Sequence, residues 1–211
     1  MKTSQATGIA LVTLLAGGAG GYLLGQQKNA PGNADVAFAQ DMMTHHAQAI
    51  DMANRLYVRL LAEKTLSPQQ QNLKYLSYDI ITGQSNQNGQ LLGWLSLWGK
   101  SPNNPTPMDM QAMGMATSEQ VEALSDLPLN EATSRFLQLM IRHHQGGVMM
   151  AESALKSART QVVKTLAQKV VGAQSNEIQQ MKNMLTEMKV EPQQDLEQMD
   201  MDSMPGMDHS N

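Results

Sequence analysis

No cysteine occurs in the 211 residues, which excludes disulfides, thiolate zinc sites, iron–sulfur clusters and thiol catalysis. Aromatic residues make up only 4% of the chain and β-branched runs are short, so little here would build a sheet. Basic residues are few and scattered: 15 Lys and Arg against 19 Asp and Glu leave a net charge of -4. That balance cannot neutralise a phosphate backbone, so nucleic acid is not an expected partner. Gly-x-Ser-x-Gly, a phosphate-cradling glycine loop and His-Glu-x-x-His are also missing, and no enzyme class is signalled. What is abundant is Gln, Ala, Leu, Met and Lys, side chains that lose little rotamer freedom in a helix. The expected fold class is all-α.

With thiolates excluded, any ligand for a soft metal must be a thioether or an imidazole. The chain holds 18 methionines, and all five of its histidines, His45, His46, His143, His144 and His209, fall beside methionine-bearing segments.

Gly8 to Gly25 is an uncharged run of 18 residues, just long enough to cross the hydrocarbon of a bilayer. Residues 1–25 therefore read as a signal sequence or membrane anchor, which places the rest in the periplasm or another extracytoplasmic space. Ala37-Phe38-Ala39 has the small-x-small form of a cleavage signal but lies well past the apolar run, so an uncleaved anchor is preferred. Residues 26–33 form a linker. A first helix is expected over about 35–64, from the spacing of Phe38, Met42, Ile50, Ala53, Leu56 and Leu60. Ser67-Pro68 starts a second, which runs to Trp98 and stops at Gly99. The segment 99–117 is a long polar connection, and Ser118–Asp126 can form a short helix before Pro128. Asn130 is expected to cap a third long helix that ends near Ala158, and a fourth spans Thr160–Lys189. Residues 191–211 are acidic, methionine-rich and without apolar periodicity, which predicts disorder.

An internal repeat organises this list. Met42-Met43-Thr44-His45-His46 matches Met140-Ile141-Arg142-His143-His144 at an offset of 98 residues, and Gln84-Ser85-Asn86 matches Gln174-Ser175-Asn176 at an offset of 90. Two duplicated helical hairpins, neither able to bury its apolar stripe alone, make a ferritin-like four-helix bundle over residues 34–190 with a long Met-rich crossover.

On a helix, residues three and four apart share a face, so Met42 with His45 and His46, and Met140 with His143 and His144, form compact donor sets that Met52 and Met150 extend. Di-iron bundles use Glu-x-x-His at this spacing. Here it is Met-x-x-His, and replacing carboxylate by thioether shifts preference to Cu(I) or its mimic Ag(I). The alternative is plain packing methionines and solvated histidines. Gly146-Gly147, costly inside a helix, suggest close helix approach. Two further tracts, Met108, Met110, Met113 and Met115 in the crossover and Met199, Met201, Met204, Met207 and His209 in the tail, lie in polar segments with no evident core to fill, where flexible thioethers can wrap a monovalent ion.

The motifs DMMTHHAQAIDMA and LMIRHHQGGVMMAE resemble the paired signatures of a domain-of-unknown-function family of exported, ferritin-like four-helix proteins, over about residues 34–190. The resemblance implies Cu(I) and Ag(I) binding for copper resistance by sequestration or export. It adds Met43 and Met149 to Met42, His45, His46, Met52, Met140, His143, His144 and Met150 as ligands. A copper efflux system or acceptor protein would then be the partner, with membrane contact through the N-terminal segment. Family members often place an acidic residue near the end of the second doublet; here Glu152 is the nearest. Two other functions fit the sequence less closely: a copper or di-metal oxidase, and a membrane-tethered module that grips a partner through its methionines.

Overall fold

In a computed structural model the described residues are 30–191, and the apolar N-terminal run expected to be a signal sequence or anchor and the tail tract lie outside them. Five helices follow in order: α1 (Asn33–Ala62), α2 (Pro68–Leu97), α3 (Ser118–Asp126), α4 (Leu129–Ser157) and α5 (Gln161–Met188). None of them is long and apolar enough to cross a membrane. Their boundaries follow local chemistry. Ser67 and Gln70 cap α2 reciprocally, at 3.2 and 2.9 Å, with Pro68 at the first position. Gly99, at φ +64°, ends it. Thr117 and Gln120 form the same box ahead of α3. The expected Asn130 cap is corrected: the N-cap of α4 is Pro128 and Asn130 lies inside the first turn, because the extended backbone forced by Pro128 already breaks the chain between α3 and α4.

Helices α1 and α2 form one hairpin, α4 and α5 the other, and the two join chiefly through α1 against α4, while α2 and α5 touch little. Ala37, Phe38 and Ala39 sit inside α1, with Phe38 and Ala39 in the core. Two apolar clusters fill the interior. One gathers the end of α1, the start of α2, α3, the start of α4 and the end of α5, from Met52, Leu56, Leu73 and Leu124 to Phe136, Met140 and Leu185. The other gathers the opposite ends, with Phe38, Met42, Leu91, Met150, Val163 and Met113. The start of α1 therefore lies beside the end of α4, and the two run antiparallel.

Asp35, fully buried, ties the hairpins together at one end. Its carboxylate accepts from the backbone N–H groups of Gly32, Arg159 and Thr160 and from the Thr160 hydroxyl, which caps α5 from α1. Burial pushes its pKa up, but these hydrogen bonds outweigh it and hold the group below its usual range.

The crossover is not the loose polar loop that its composition suggests. It runs up α1 and is fastened at intervals: Gln40 donates to the carbonyls of Ser101 and Asn103, Asn104 donates to Asp41, Gln48 both donates to and accepts from the Ala116 backbone, and Arg59 donates to the carbonyls of Leu124 and Leu127. Asp41 is pushed up by burial, against the lowering effect of Asn104 and the Met108 backbone.

Candidate metal centre

Between the two apolar clusters each long helix turns polar over about one turn. His45 and His46 follow Met42 on α1, Gln84 lies between Ile80 and Leu91 on α2, His143 and His144 lie between Ile141 and Met150 on α4, and Gln174 lies between Val170 and Met181 on α5. All four imidazoles are fully buried, which removes the reading of solvated histidines. The rings of His45 and His143 stack with centroids 3.7 Å apart and planes 31° apart. These two residues occupy equivalent positions of the 98-residue repeat, so the antiparallel crossing of α1 and α4 places an approximate twofold axis between them.

Three of the four rings are held through Nε2. His45 bonds the Met113 carbonyl at 3.1 Å, His46 the Gln87 side-chain oxygen at 2.7 Å, and His144 a Glu177 carboxylate oxygen at 2.7 Å. A carbonyl or carboxylate oxygen can only accept, so each Nε2 carries the proton and each Nδ1 presents a lone pair. Those three Nδ1 atoms are buried and find no partner among the described residues. Neither nitrogen of His143 has a well-formed hydrogen bond, and the side chains of Gln84 and Gln174, related by the 90-residue offset, are also unmatched. A buried polar group left unpaired costs about 1–3 kcal/mol, so this layer is a concentrated liability for the empty fold.

Burial is the main cause of weakened basicity here. It lowers His45 to about 3 and His46 to about 4, and it takes His143 well below its ordinary value, with repulsion from neighbouring imidazoles adding to the effect. The unfolded chain, with histidines near 6.5, therefore binds more protons than the folded one between that value and about 3. Stability is fully present above the unfolded pKa and falls as pH drops through this window, by on the order of a few kcal/mol per imidazole. Asp41, raised in the fold, offsets part of the loss at acid pH. Thermal melts of the metal-free protein followed by circular dichroism should hold a constant Tm above pH 7 and fall steeply from pH 6 to pH 4; a Tm unchanged across that range would mean the imidazoles stay hydrated.

The methionines do not group as their helical spacing suggests. Met42 shares a cluster with Met150 and Met113, and Met52 shares the other with Met140, because antiparallel packing pairs the start of one motif with the end of its copy. The histidine layer is thus flanked by thioethers on both sides. Met113 is buried rather than exposed, and Met43 and Met108 pack partly against the same cluster. Met110, Met115 and Met149 are half-buried. Met199, Met201, Met204, Met207 and His209 lie outside the described residues. Among the described residues no three imidazoles and carboxylates converge as a ready cage.

The paired glycines have two separate partners, and only Gly147 meets a neighbouring helix. A Cβ on Gly146 would lie 1.7 Å from the Met113 carbonyl oxygen, and one on Gly147 would lie 2.2 Å from the Gln174 side-chain oxygen. Gly146 admits the crossover backbone, and Gly147 admits a buried amide side chain from α5. Gln87 and Glu177 were missed in the sequence, although they sit at the 90-residue offset directly after the matched Gln-Ser-Asn triplets.

The DUF305 family, a domain of unknown function, matches residues 35–185. A DUF305 fragment from Deinococcus radiodurans is 35% identical, covering 74% of this chain and 98% of its own, with a TM-score of 0.64. A candidate secreted DUF305 protein from Streptomyces coelicolor is 35% identical, covering 76% and 96%, with a TM-score of 0.68. CopM in a Cu(I)-bound form is 28% identical, covering 73% and 96%, with a TM-score of 0.52. CopM structures in Cu(II)-bound and Ag-bound forms match as well. No curated protein matches the sequence.

Proposed function

We propose, from the premise that this chain belongs to the DUF305 family, that its bundle binds copper, chiefly Cu(I) with Ag(I) as a mimic, and stores it or passes it on outside the cytoplasm. One observation carries this reading: three buried imidazoles are oriented by Nε2–H hydrogen bonds so that their Nδ1 lone pairs stand unmatched between two sets of buried thioethers. Holding a ligand imidazole through its other nitrogen is the outer-shell device of metal sites. Thioether and imidazole together suit soft, monovalent copper.

His45, His46, His143 and His144 with Met42, Met52, Met113, Met140 and Met150 would hold the ion, and the stacked rings would part to admit it. Met43, Met108, Met110, Met115 and Met149, nearer the surface, together with Met199, Met201, Met204, Met207 and His209, would serve capture. CopM is similar in fold and its solved forms hold copper and silver, which supports the same cargo here. The N-terminal apolar run and the candidate secreted relative support an extracytoplasmic setting, anchored to the membrane, with a copper efflux system or acceptor protein as the exchange partner. The reading is of a carrier in copper resistance or homeostasis rather than an enzyme: an oxygen-using di-metal site needs several carboxylate ligands, whereas among the described residues Glu177 is the one carboxylate that hydrogen-bonds a histidine of this layer.

Titration with Cu(I) under reducing, oxygen-free conditions, with Fe(II) and Zn(II) as rivals and metal counted after desalting, tests it. Copper should be retained and the rivals lost. Preferential retention of iron would overturn the reading.

A further inference from the structure

The two halves of the histidine layer differ in charge at one pair of equivalent residues. His46 is held by Gln87 and His144 by Glu177, both at 2.7 Å, and positions 87 and 177 correspond in the repeat. One partner is a neutral amide and the other a carboxylate. Three features are matched: both imidazoles are fully buried, both have an unpaired Nδ1, and each has a buried, unpaired glutamine one turn before its partner, Gln84 and Gln174. Glu177 keeps one edge in water, with a side chain 21% exposed.

The geometry points to Glu177 as the residue that sorts copper by oxidation state, making the His144 side the seat of Cu(II) and leaving the His46 side, with its neutral amide, to Cu(I). The inference rests on the copper reading above and deepens it. Glu177 accepts the Nε2–H of His144, so it does not ligate; it acts through the ring, and its charge lies one imidazole away from an ion at Nδ1. The attraction between a carboxylate and a cation scales with the cation's charge. At the same separation in a partly buried site, doubly charged Cu(II) therefore gains about twice what Cu(I) gains. Gln87 supplies the same hydrogen bond and no such gain. The arrangement also fixes the tautomer equally on both sides, so the difference between the halves is one of charge and not of ring orientation.

Glu177→Gln isolates the charge, since an amide oxygen still accepts from His144 and the volume is unchanged. In the full chain, Cu(II) affinity measured by chelator competition should fall about tenfold to a hundredfold, and the Cu(II) electron paramagnetic resonance signal should change. Cu(I) affinity, measured against a cuprous chelator without oxygen, should fall by a smaller factor. The converse variant, Gln87→Glu, should add a second Cu(II) equivalent. Equal weakening of both oxidation states, or no change in either, would overturn the inference while the copper reading stands. A wild-type protein that retains neither form of copper would overturn both.

Discussion

Replacing His143 by leucine should make the metal-free protein more stable and a poorer copper binder at once. The imidazole is fully buried and neither of its nitrogens has a good partner, so the folded state bears a desolvation cost that leucine, similar in volume, does not. Loss of the stacked contact with His45 subtracts from the gain. The net expectation is about 1–3 kcal/mol of added stability, about 3–10 °C in Tm for a domain of this size. Copper retained after desalting should fall at least tenfold. Calorimetry of the metal-free protein beside elemental analysis after loading reads both quantities. A lower Tm with copper unchanged would make His143 a packing residue. His143 is the informative choice, since truncating His45 would also strip the Met113 carbonyl of its donor.

The second large effect reverses the sign that helix propensity alone would give. Gly to Ala in a helix ordinarily gains about 1 kcal/mol. At Gly146 the new methyl would lie 1.7 Å from the Met113 carbonyl oxygen, and that atom is backbone, unable to swing aside. Gly146→Ala should therefore destabilise by about 2 kcal/mol or more. It should also lift the crossover near residues 108–116, removing the partner of His45 Nε2. Denaturant unfolding reads the first effect, and faster amide exchange across that segment reads the second. Gly172→Ala is the control: nothing lies within 4 Å of its Cβ, and it should stabilise. If both substitutions stabilise alike, the crossover does not rest on α4.

Much of the fold was legible because the signals that set it are local. Ser67-Pro68 and Gly99 bracket α2 within a residue, and the repeated Met-x-x-His-His motif announced two hairpins. Asn130 has the side chain of a good cap, but the rigid backbone of Pro128 starts the helix two residues earlier. The repeated histidine pairs were legible in the sequence, but the thioethers that pack beside them were not. The grouping of Met42 with Met150 depends on helix direction, which spacing within one helix does not carry. The crossover misled for a related reason: Met113 looks like a methionine in a polar tract, and its burial depends on a glycine 33 positions later in the chain. Glu177 was hidden by its difference from Gln87, since a search for repeated residues passes over the places where the copies have parted.

Two equivalent imidazoles stacked on an axis are what the interface of a symmetric pair of chains looks like. The molecule is in effect a homodimer written as one polypeptide, with the crossover as the join. Two identical hairpins would be bound to carry the same residue at 48 and 146, and at 87 and 177, so any change would be made twice. Fusion releases that constraint. One copy carries a glutamine that grips the strap, and the other carries a glycine that lets the strap pass. A covalent join thus grants the protein an inequality between its halves that perfect symmetry forbids.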